Sequence, residues 1–350
     1  MKPRTKQRIK RILLILFLLL LFGVVAFLAM EILGRKAMLD VSDETVEVTA
    51  PESEEVTLEE EGQVITYKGE KYIYNENITS VLCMGVDKAR VEDVKGKVGE
   101  YGQTDMLMLA ILDTKSGKVN LWNISRDSMT DVDIYNVNGE FVETEMMQAC
   151  LAFAYGDGSH ESCENTVRSV SRLLYGMPIQ SYAAIDLDVL PVLNDAVGGV
   201  KVTIHEDDVL PARFKPGTTV LLNGKDVEDY VRTRMEAWDE VGELDSNNNR
   251  MERQKQYMTK FIQKALQMTK EDISTPITLF NITRKGNHII TNLNVSRVAY
   301  LASVVTKVNF SEESFKTIPG EVVDGGKYAE YHVDDEALYE MILDTFYVKQ

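Results

Sequence analysis

The sequence predicts an α/β protein, a layered α-β-α domain around a mixed central sheet, preceded by one transmembrane helix. Three observations predict it. From residue 78 onward, short apolar runs bounded by polar turns alternate with stretches of helical spacing, as in strands and helices stacked in layers. Two of the runs are joined by Asp113-Thr-Lys-Ser-Gly-Lys118, a hairpin-type turn, so the sheet is mixed rather than purely parallel. Residues 12–30 are uncharged and almost wholly apolar, long enough at about 1.5 Å per residue to cross a hydrocarbon core of about 30 Å.

The elements follow in order. Residues 1–11 carry Lys2, Arg4, Lys6, Arg8, Lys10 and Arg11 without an acid, which favours a cytoplasmic tail. The apolar run 12–30 is longer than a cleaved leader's core, and no Ala-x-Ala site follows it. It is therefore an uncleaved single-pass anchor in the cell membrane, and everything after it lies outside the cytoplasm. Residues 31–75 are rich in glutamate, among them Glu44, Glu47, Glu52, Glu54, Glu55, Glu59, Glu60 and Glu61, and read as a self-repelling extracytoplasmic stalk. Residues 76–350 form the body.

Within the body, Ile78–Val86, Met106–Leu112 and Val119–Ile124 read as strands. Met146–Tyr155 is apolar at helical spacing and stops at Gly156-Asp157-Gly158. Asn165–Tyr175 places Val167, Val170, Leu173 and Leu174 on one helical face before Gly176 and Pro178. Tyr182–Leu187 is a strand, Val189–Val197 a short helix ended by Gly198-Gly199, and Val200–Ile204 a strand. Asp226–Arg232 and Arg250–Met268 read as helices. A short strand ending at Asn292, a helix over Val295–Val305 and a closing helix over Glu336–Phe346 complete the chain.

The formal charge is −17, and setting aside the six basic residues of the tail leaves −23 on the rest. Such a body argues against a nucleic-acid partner, because duplex binding relies on lysine and arginine to neutralise phosphates. An anion bound here needs a local basic cluster or a metal. The three cysteines, Cys83, Cys150 and Cys163, have no zinc-type spacing. A Cys150–Cys163 bond is permitted outside the cytoplasm, and the sequence does not decide it.

Asp87 ends the first strand and Asp105 opens the second, so strand pairing would bring two hard oxygen donors together, as Mg²⁺ requires. Arg126 follows the third strand. Arg232, Arg234, Arg250 and Arg253, with Gln254, form a second basic segment. Guanidinium groups match phosphate oxygens. Arg250 and Gln254, four apart, share a helical face. The other reading of each group is solvated loop acids and a solvated helix face. The four histidines are scattered.

These segments, in order, resemble the LytR-CpsA-Psr family of bacterial envelope proteins. Val81-Leu-Cys-Met-Gly-Val-Asp87, Thr104-Asp105-Met-Leu-Met-Leu and Ile124-Ser-Arg126-Asp127-Ser carry the first part of the resemblance. Ala152-Phe-Ala-Tyr-Gly156, Val197-Gly-Gly-Val-Lys-Val202, Asn223-Gly-Lys-Asp with Tyr230-Val-Arg-Thr-Arg234, and Arg250-Met-Glu-Arg253-Gln254 carry the rest. The resemblance implies an Mg²⁺-dependent phosphotransferase. It would move a phosphate-linked glycopolymer, teichoic acid or capsule, from a polyprenyl-pyrophosphate carrier to peptidoglycan. Asp87 and Asp105 would hold the metal. Arg126, Arg232, Arg234, Arg250 and Gln254 would bind the pyrophosphate, with Asp87, Asp105 and Arg126 as the catalytic group. Gln103 and Gln148 stand where the family usually has arginine and lysine. A non-catalytic protein that binds polyprenyl phosphates and acts in envelope assembly or regulation is the second reading.

Overall fold

The computed structural model describes residues 32–38, 46–52, 56–88, 90–92, 96–186, 188–206, 208, 210–233, 243–308 and 310–350. The expected anchor at 12–30 and Arg234 lie outside the described residues. Among the described residues, no helix is long and apolar enough to cross a membrane.

The chain begins with a short helix, α1, over 32–38. Strands β1 (Val56–Glu59), β2 (Val64–Tyr67) and β3 (Glu70–Tyr74) follow, then β4 (Ile78–Val86), β5 (Thr104–Asp113) and β6 (Val119–Ile124). A hairpin of β7 (Met129–Tyr135) and β8 (Phe141–Gln148) precedes helix α2 (His160–Leu173) and strand β9 (Ser181–Asp186). Next come α3 (Val189–Ala196), β10 (Val200–Thr203), β11 (Thr219–Leu222), α4 (Asp226–Arg232), α5 (Glu243–Glu271) and α6 (Thr275–Lys285). The chain closes with β12 (Ile289–Thr291), α7 (Val295–Val305), β13 (Phe315–Thr317), β14 (Gly320–Asp324), β15 (Ala329–Val333), α8 (Asp335–Phe346) and β16 (Tyr347–Lys349).

A six-stranded mixed sheet in the order β12-β9-β4-β5-β6-β13 forms the centre. β5 is antiparallel to both β4 and β6, while β4 runs parallel to β9 and β6 parallel to β13. The alternation of side chains across the pleat gives the sheet two unlike faces. Leu82, Met84, Leu107, Leu109, Ile111 and Trp122 point to one face and pack in a single core with Val170 of α2 and Leu338, Tyr339 and Phe346 of α8. The opposite face presents Val81, Cys83, Ala110, Ala183 and Ile185, all only partly buried. Leu266 of α5 and Leu301 and Val305 of α7 lie on that side and are partly buried as well. A separate core, with Val200, Val202, Tyr230 and Tyr257, binds β10, β11, α4 and α5 together.

Two expectations are corrected, and one question the sequence left open is answered. The stretch 31–75 is not wholly a stalk: from Val56 it folds into a four-stranded sheet, β1-β2-β3-β16, closed by the chain's last strand. In β1, Val56 and Leu58 alternate with the exposed Thr57 and Glu59, while Ile65 and Tyr67 of β2 are buried. The helix expected over Met146–Tyr155 is the end of β8 followed by a 3₁₀ turn at Ala149–Leu151. The helical spacing is overridden by tertiary pairing: Met129 pairs with Gln148, which carries the strand to that residue. Cys150 and Cys163 are free thiols, one beside Arg126 and the other buried within α2.

Candidate functional site

Two adjacent strands end at the same place. Pairing of β4 with β5 runs from Ile78 opposite Asp113 to Val86 opposite Thr104, with a shift between Gly85 and Val86. The shift leaves Asp105 as the unpaired residue of a bulge, a device that re-aims a side chain at a sheet end. Asp87 N–H donates to Gln103 O at 2.9 Å, so the backbone beside Asp87 is fastened to the segment leading into β5. Both carboxylates are solvent-exposed. That of Asp87 has no hydrogen bond or ion pair among the described residues.

β6 delivers Arg126 to the same end, because Ile124 pairs with Leu107 and the chain runs on past it. Arg126 Nη1 forms an ion pair with Asp105. Its Nη2 donates to Gln103 Oε1 at 2.6 Å and reaches Cys150 Sγ at 3.4 Å, and its Nε stands 3.6 Å from Asp127 Oδ1. The turn after β8 holds this arrangement from below, with Cys150 N–H donating to Arg126 O at 3.0 Å. Gln148 Nε2 donates to Asp127 Oδ1 at 3.2 Å and to Ala329 O at 2.7 Å. Burial pushes the Asp127 carboxyl above its usual range; Arg126 opposes the rise and Asp105 adds to it. Burial likewise raises the Cys150 thiol, against the pull of Arg126.

The second basic segment forms its own group. Arg253 is the centre of it, with its Nε donating to Tyr230 O at 2.8 Å and Nη2 to Thr233 O at 2.5 Å. Its Nη1 meets Asp208 at 2.9 Å, and both side chains are buried. Gln254 Nε2 donates to Val231 O at 3.1 Å. Arg253 and Gln254 thus fasten the end of α4 to α5 through its main chain. Arg232 is exposed at that end, and Arg250 lies one turn before Gln254. No hydrogen bond or ion pair joins Arg126, Asp105 or Gln103 to Arg232, Arg253 or Gln254. The structure therefore brings Asp87, Asp105 and Arg126 to one end of the sheet, while Arg232, Arg250 and Gln254 stand at the junction of α4 and α5.

One residue was missed. Asp186 ends β9, directly beside Val86 at the end of β4. Its buried carboxylate accepts from Val91 N at 3.1 Å and Val189 N at 3.1 Å, and meets His288 Nδ1 at 2.8 Å. It ties the loop after Asp87 to the start of α3. The signal was present: like Asp87, Asp186 is a lone acid closing an apolar strand.

Among the described residues, no group of three or more His, Cys, Asp or Glu is placed to hold a metal by itself. A cavity of 1060 Å³ lies elsewhere, against Ile78 and Gln180 at the opposite end of the sheet, and takes no part in the site.

The chain is similar to several known proteins. It is 25% identical over 280 residues to "Biofilm regulatory protein A" of Streptococcus mutans, covering 75% of this chain and 62% of that one. It is 27% identical over 258 residues to an Enterococcus faecalis protein, "Polyisoprenyl-teichoic acid--peptidoglycan teichoic acid transferase TagU", covering 71% of each. The matched stretch is thus less than two thirds of the S. mutans protein. Among solved structures, Bacillus subtilis TagV matches 78% of this chain and 96% of its own with a TM-score of 0.55 at 21% identity. Protein gbs0355 of Streptococcus agalactiae matches 77% and 89% with a TM-score of 0.56 at 20% identity. These two establish the likeness of fold. The model of the LytR_cpsA_psr family matches residues 40–345, and the chain belongs to that family.

Proposed function

We propose that this protein is an Mg²⁺-dependent phosphotransferase that moves a phosphate-linked glycopolymer, of teichoic acid or capsule type, from a polyprenyl-pyrophosphate carrier to peptidoglycan. The observation that carries this reading is the convergence of Asp87, Asp105 and Arg126 at the ends of β4, β5 and β6. The name of the E. faecalis relative, a teichoic acid transferase to peptidoglycan, supports it.

The residues fit a magnesium ion in one specific sense. Two exposed carboxylates at neighbouring strand ends offer oxygen donors alone, one of them without a side-chain partner among the described residues. Mg²⁺ is commonly held by one or two carboxylates, with substrate phosphates and water filling its other positions. When bound, the ion would neutralise phosphate charge. The chain's own residues do the rest. Arg126 stabilises charge on the transferring phosphoryl group, and Asp105 and Gln103 fix its plane. Arg232, Arg250 and Gln254 receive further phosphate oxygens. The acceptor hydroxyl attacks phosphorus, the bond to the prenyl phosphate breaks, and the partly buried Asp127 is the nearest carboxylate to Arg126 besides Asp105 for the released proton. The half-open apolar face of the sheet toward α5 and α7 suits a prenyl chain.

The same geometry favours a second reading, a polyprenyl-phosphate binder without turnover. Arg126 is already matched by Asp105, and the neutral Gln103 and Gln148 supply no further charge. The deciding experiment gives the full chain a prenyl-pyrophosphate-linked polymer, peptidoglycan and Mg²⁺. Asp105→Asn and Arg126→Ala should each lose polymer transfer while keeping the parental circular dichroism. Normal transfer by both variants would sink the transferase reading, and binding of the donor without transfer by the parent would favour the second.

A further inference from the structure

The two ends of the central sheet differ in what covers them. Asp87, Asp105 and Arg126 occupy one end. Toward the other end, where Ile78 pairs with Asp113 and β9 begins at Ser181, α1 and α7 pack on the sheet face that carries Val81, Leu112 and Val119. β12 descends antiparallel to β9 toward this end, and α7 then crosses that face to the chain that enters β13. Tyr300, Val304 and Val308 pack there with Leu112, and Val81 and Val119 join them.

α1 is fastened to this base. Met38 is fully buried among Leu112, Tyr300 and Val304, and Ser181 Oγ donates to its sulfur at 3.4 Å. Arg297 Nη2 donates to Ala37 O at 2.8 Å while its Nη1 donates to Asn292 O at 3.1 Å, so one guanidinium bridges α1 and the loop before α7. At Gly34 the helices approach so closely that a Cβ would collide with Ser296 O and lie 2.8 Å from Tyr300 Cβ. These contacts fasten α1 to the start of α7.

What α1 leaves uncovered points to its surroundings. Ile32 and Leu33 are 70% and 60% exposed, and Arg35 and Lys36 beside them are exposed too. Val295, at the start of α7, is 40% exposed. The apolar run 12–30 ends two residues before Ile32. Exposed apolar side chains followed by cations, at the exit of a spanning segment, match the boundary between acyl chains and anionic headgroups.

We propose that the base formed by α1 and α7 rests on the outer lipid surface, so that the candidate site faces away from it at a fixed height. The nine residues of β4, at about 3.3 Å each, set that height at about 30 Å. The proposal takes residues 12–30 as a span with the body outside, and it does not depend on which reaction the site performs.

The test uses the full chain in nanodiscs of phosphatidylcholine and phosphatidylglycerol containing a headgroup spin-labelled lipid. A dye is placed singly at Ser116→Cys in the β5–β6 turn, at Val295→Cys, or at Lys327→Cys in the β14–β15 turn beside the site. Dye uptake by the parental chain, with Cys83, Cys150 and Cys163, sets the background. The Ser116 and Val295 dyes should be quenched at least several-fold more strongly than the Lys327 dye. In the Gly34→Leu chain the Ser116 and Lys327 values should draw together as the body loses its fixed tilt. Equal quenching at all three positions of the parental chain, or strongest quenching at Lys327, overturns the proposal. A full chain that does not remain with the nanodisc overturns it too, by removing the anchor.

Discussion

Arg126 donates to Gln103 Oε1 at 2.6 Å across the entrance to β5, so a neutral amide shares with Asp105 the task of holding the site's arginine. Gln103→Ala removes that acceptor and frees the guanidinium to rotate. A hydrogen bond to a charged group contributes about 1.5–3 kcal/mol when buried and less at this half-exposed site. Transfer should fall roughly 3- to 10-fold, against a loss of at least about 100-fold for Arg126→Ala. Initial rates at saturating donor check both. Equal losses would show that Gln103 does more than orient Arg126.

Asp87 and Asp105 predict a metal dependence that can be read without turnover. Titration of the parental protein with Mg²⁺ in the presence of inorganic pyrophosphate should give a calorimetric binding signal. Asp87→Asn and Asp105→Asn should each weaken it by at least about tenfold. Chelation should abolish transfer, and restored Mg²⁺ should return it. An unchanged binding signal in both variants contradicts the assignment of these two ligands.

Arg253 predicts a stability effect. Its guanidinium lies buried between Asp208, Tyr230 O and Thr233 O. Arg253→Ala leaves the Asp208 carboxylate buried without its partner and should cost about 3–5 kcal/mol in urea unfolding. Arg253→Lys should recover only part of this, because one ammonium cannot reproduce the three-way fork. Adding Asp208→Ala to Arg253→Ala should cost less than the sum of the two single variants.

Asp133 predicts a pH dependence. Burial pushes its carboxyl up, but the hydrogen bonds from Arg172 and Thr144 and the charges of Arg172 and Arg168 outweigh that and hold it below the usual range. Its stabilising contribution is therefore complete above the unfolded aspartate pKa of about 3.9, and is lost as pH falls through the lowered folded value. Asp133→Asn should cost about 1.5–3 kcal/mol at pH 7. The difference from the parent should shrink as pH falls below about 4. Thermal melts between neutral pH and pH 3 measure it.

The free thiols predict insensitivity to reductant. Cys150 is committed to Arg126, and Cys163 is buried in α2, where burial drives its thiol well above the usual range. Melting temperature should be the same with and without dithiothreitol. Alkylation after unfolding without reductant should add three labels per chain. Fewer labels would show a bond between Cys150 and Cys163.

Much of this architecture was readable from residue order. β4 and β6 begin and end where their apolar runs do, and α4 and α7 match their expected limits, because polar turns or caps bound each one. Asn294, for example, caps α7 by accepting from Arg297 N–H. The sequence placed Asp87 and Asp105 at strand ends and made their meeting conditional on pairing, which the antiparallel β4 and β5 supply. What escaped depended on distant partners. The first strands were obscured by glutamates, whose charge suggests an extended chain until Tyr347–Lys349 arrives to pair with β3. Gln148 gave no sign that it holds Asp127, and Cys150 none that it touches Arg126, because both contacts come from the turn that replaces an expected helix. That Arg253 and Gln254 both fasten α4 to α5 through main-chain oxygens was equally invisible. Their spacing shows a shared helix, and only the packing of α4 buries one of them.

The strand at the carboxyl end has a consequence for how the molecule is made. Tyr347, Val348 and Lys349 pair with Tyr74, Ile73 and Tyr72, and Gln350 N–H donates to Lys71 O at 2.9 Å. A polypeptide synthesised from its amino end thus carries β1, β2 and β3 without their fourth strand until Tyr347–Lys349 have been made. The small sheet is completed only after the strands of the central sheet exist, and it ties together segments far apart in the order of synthesis.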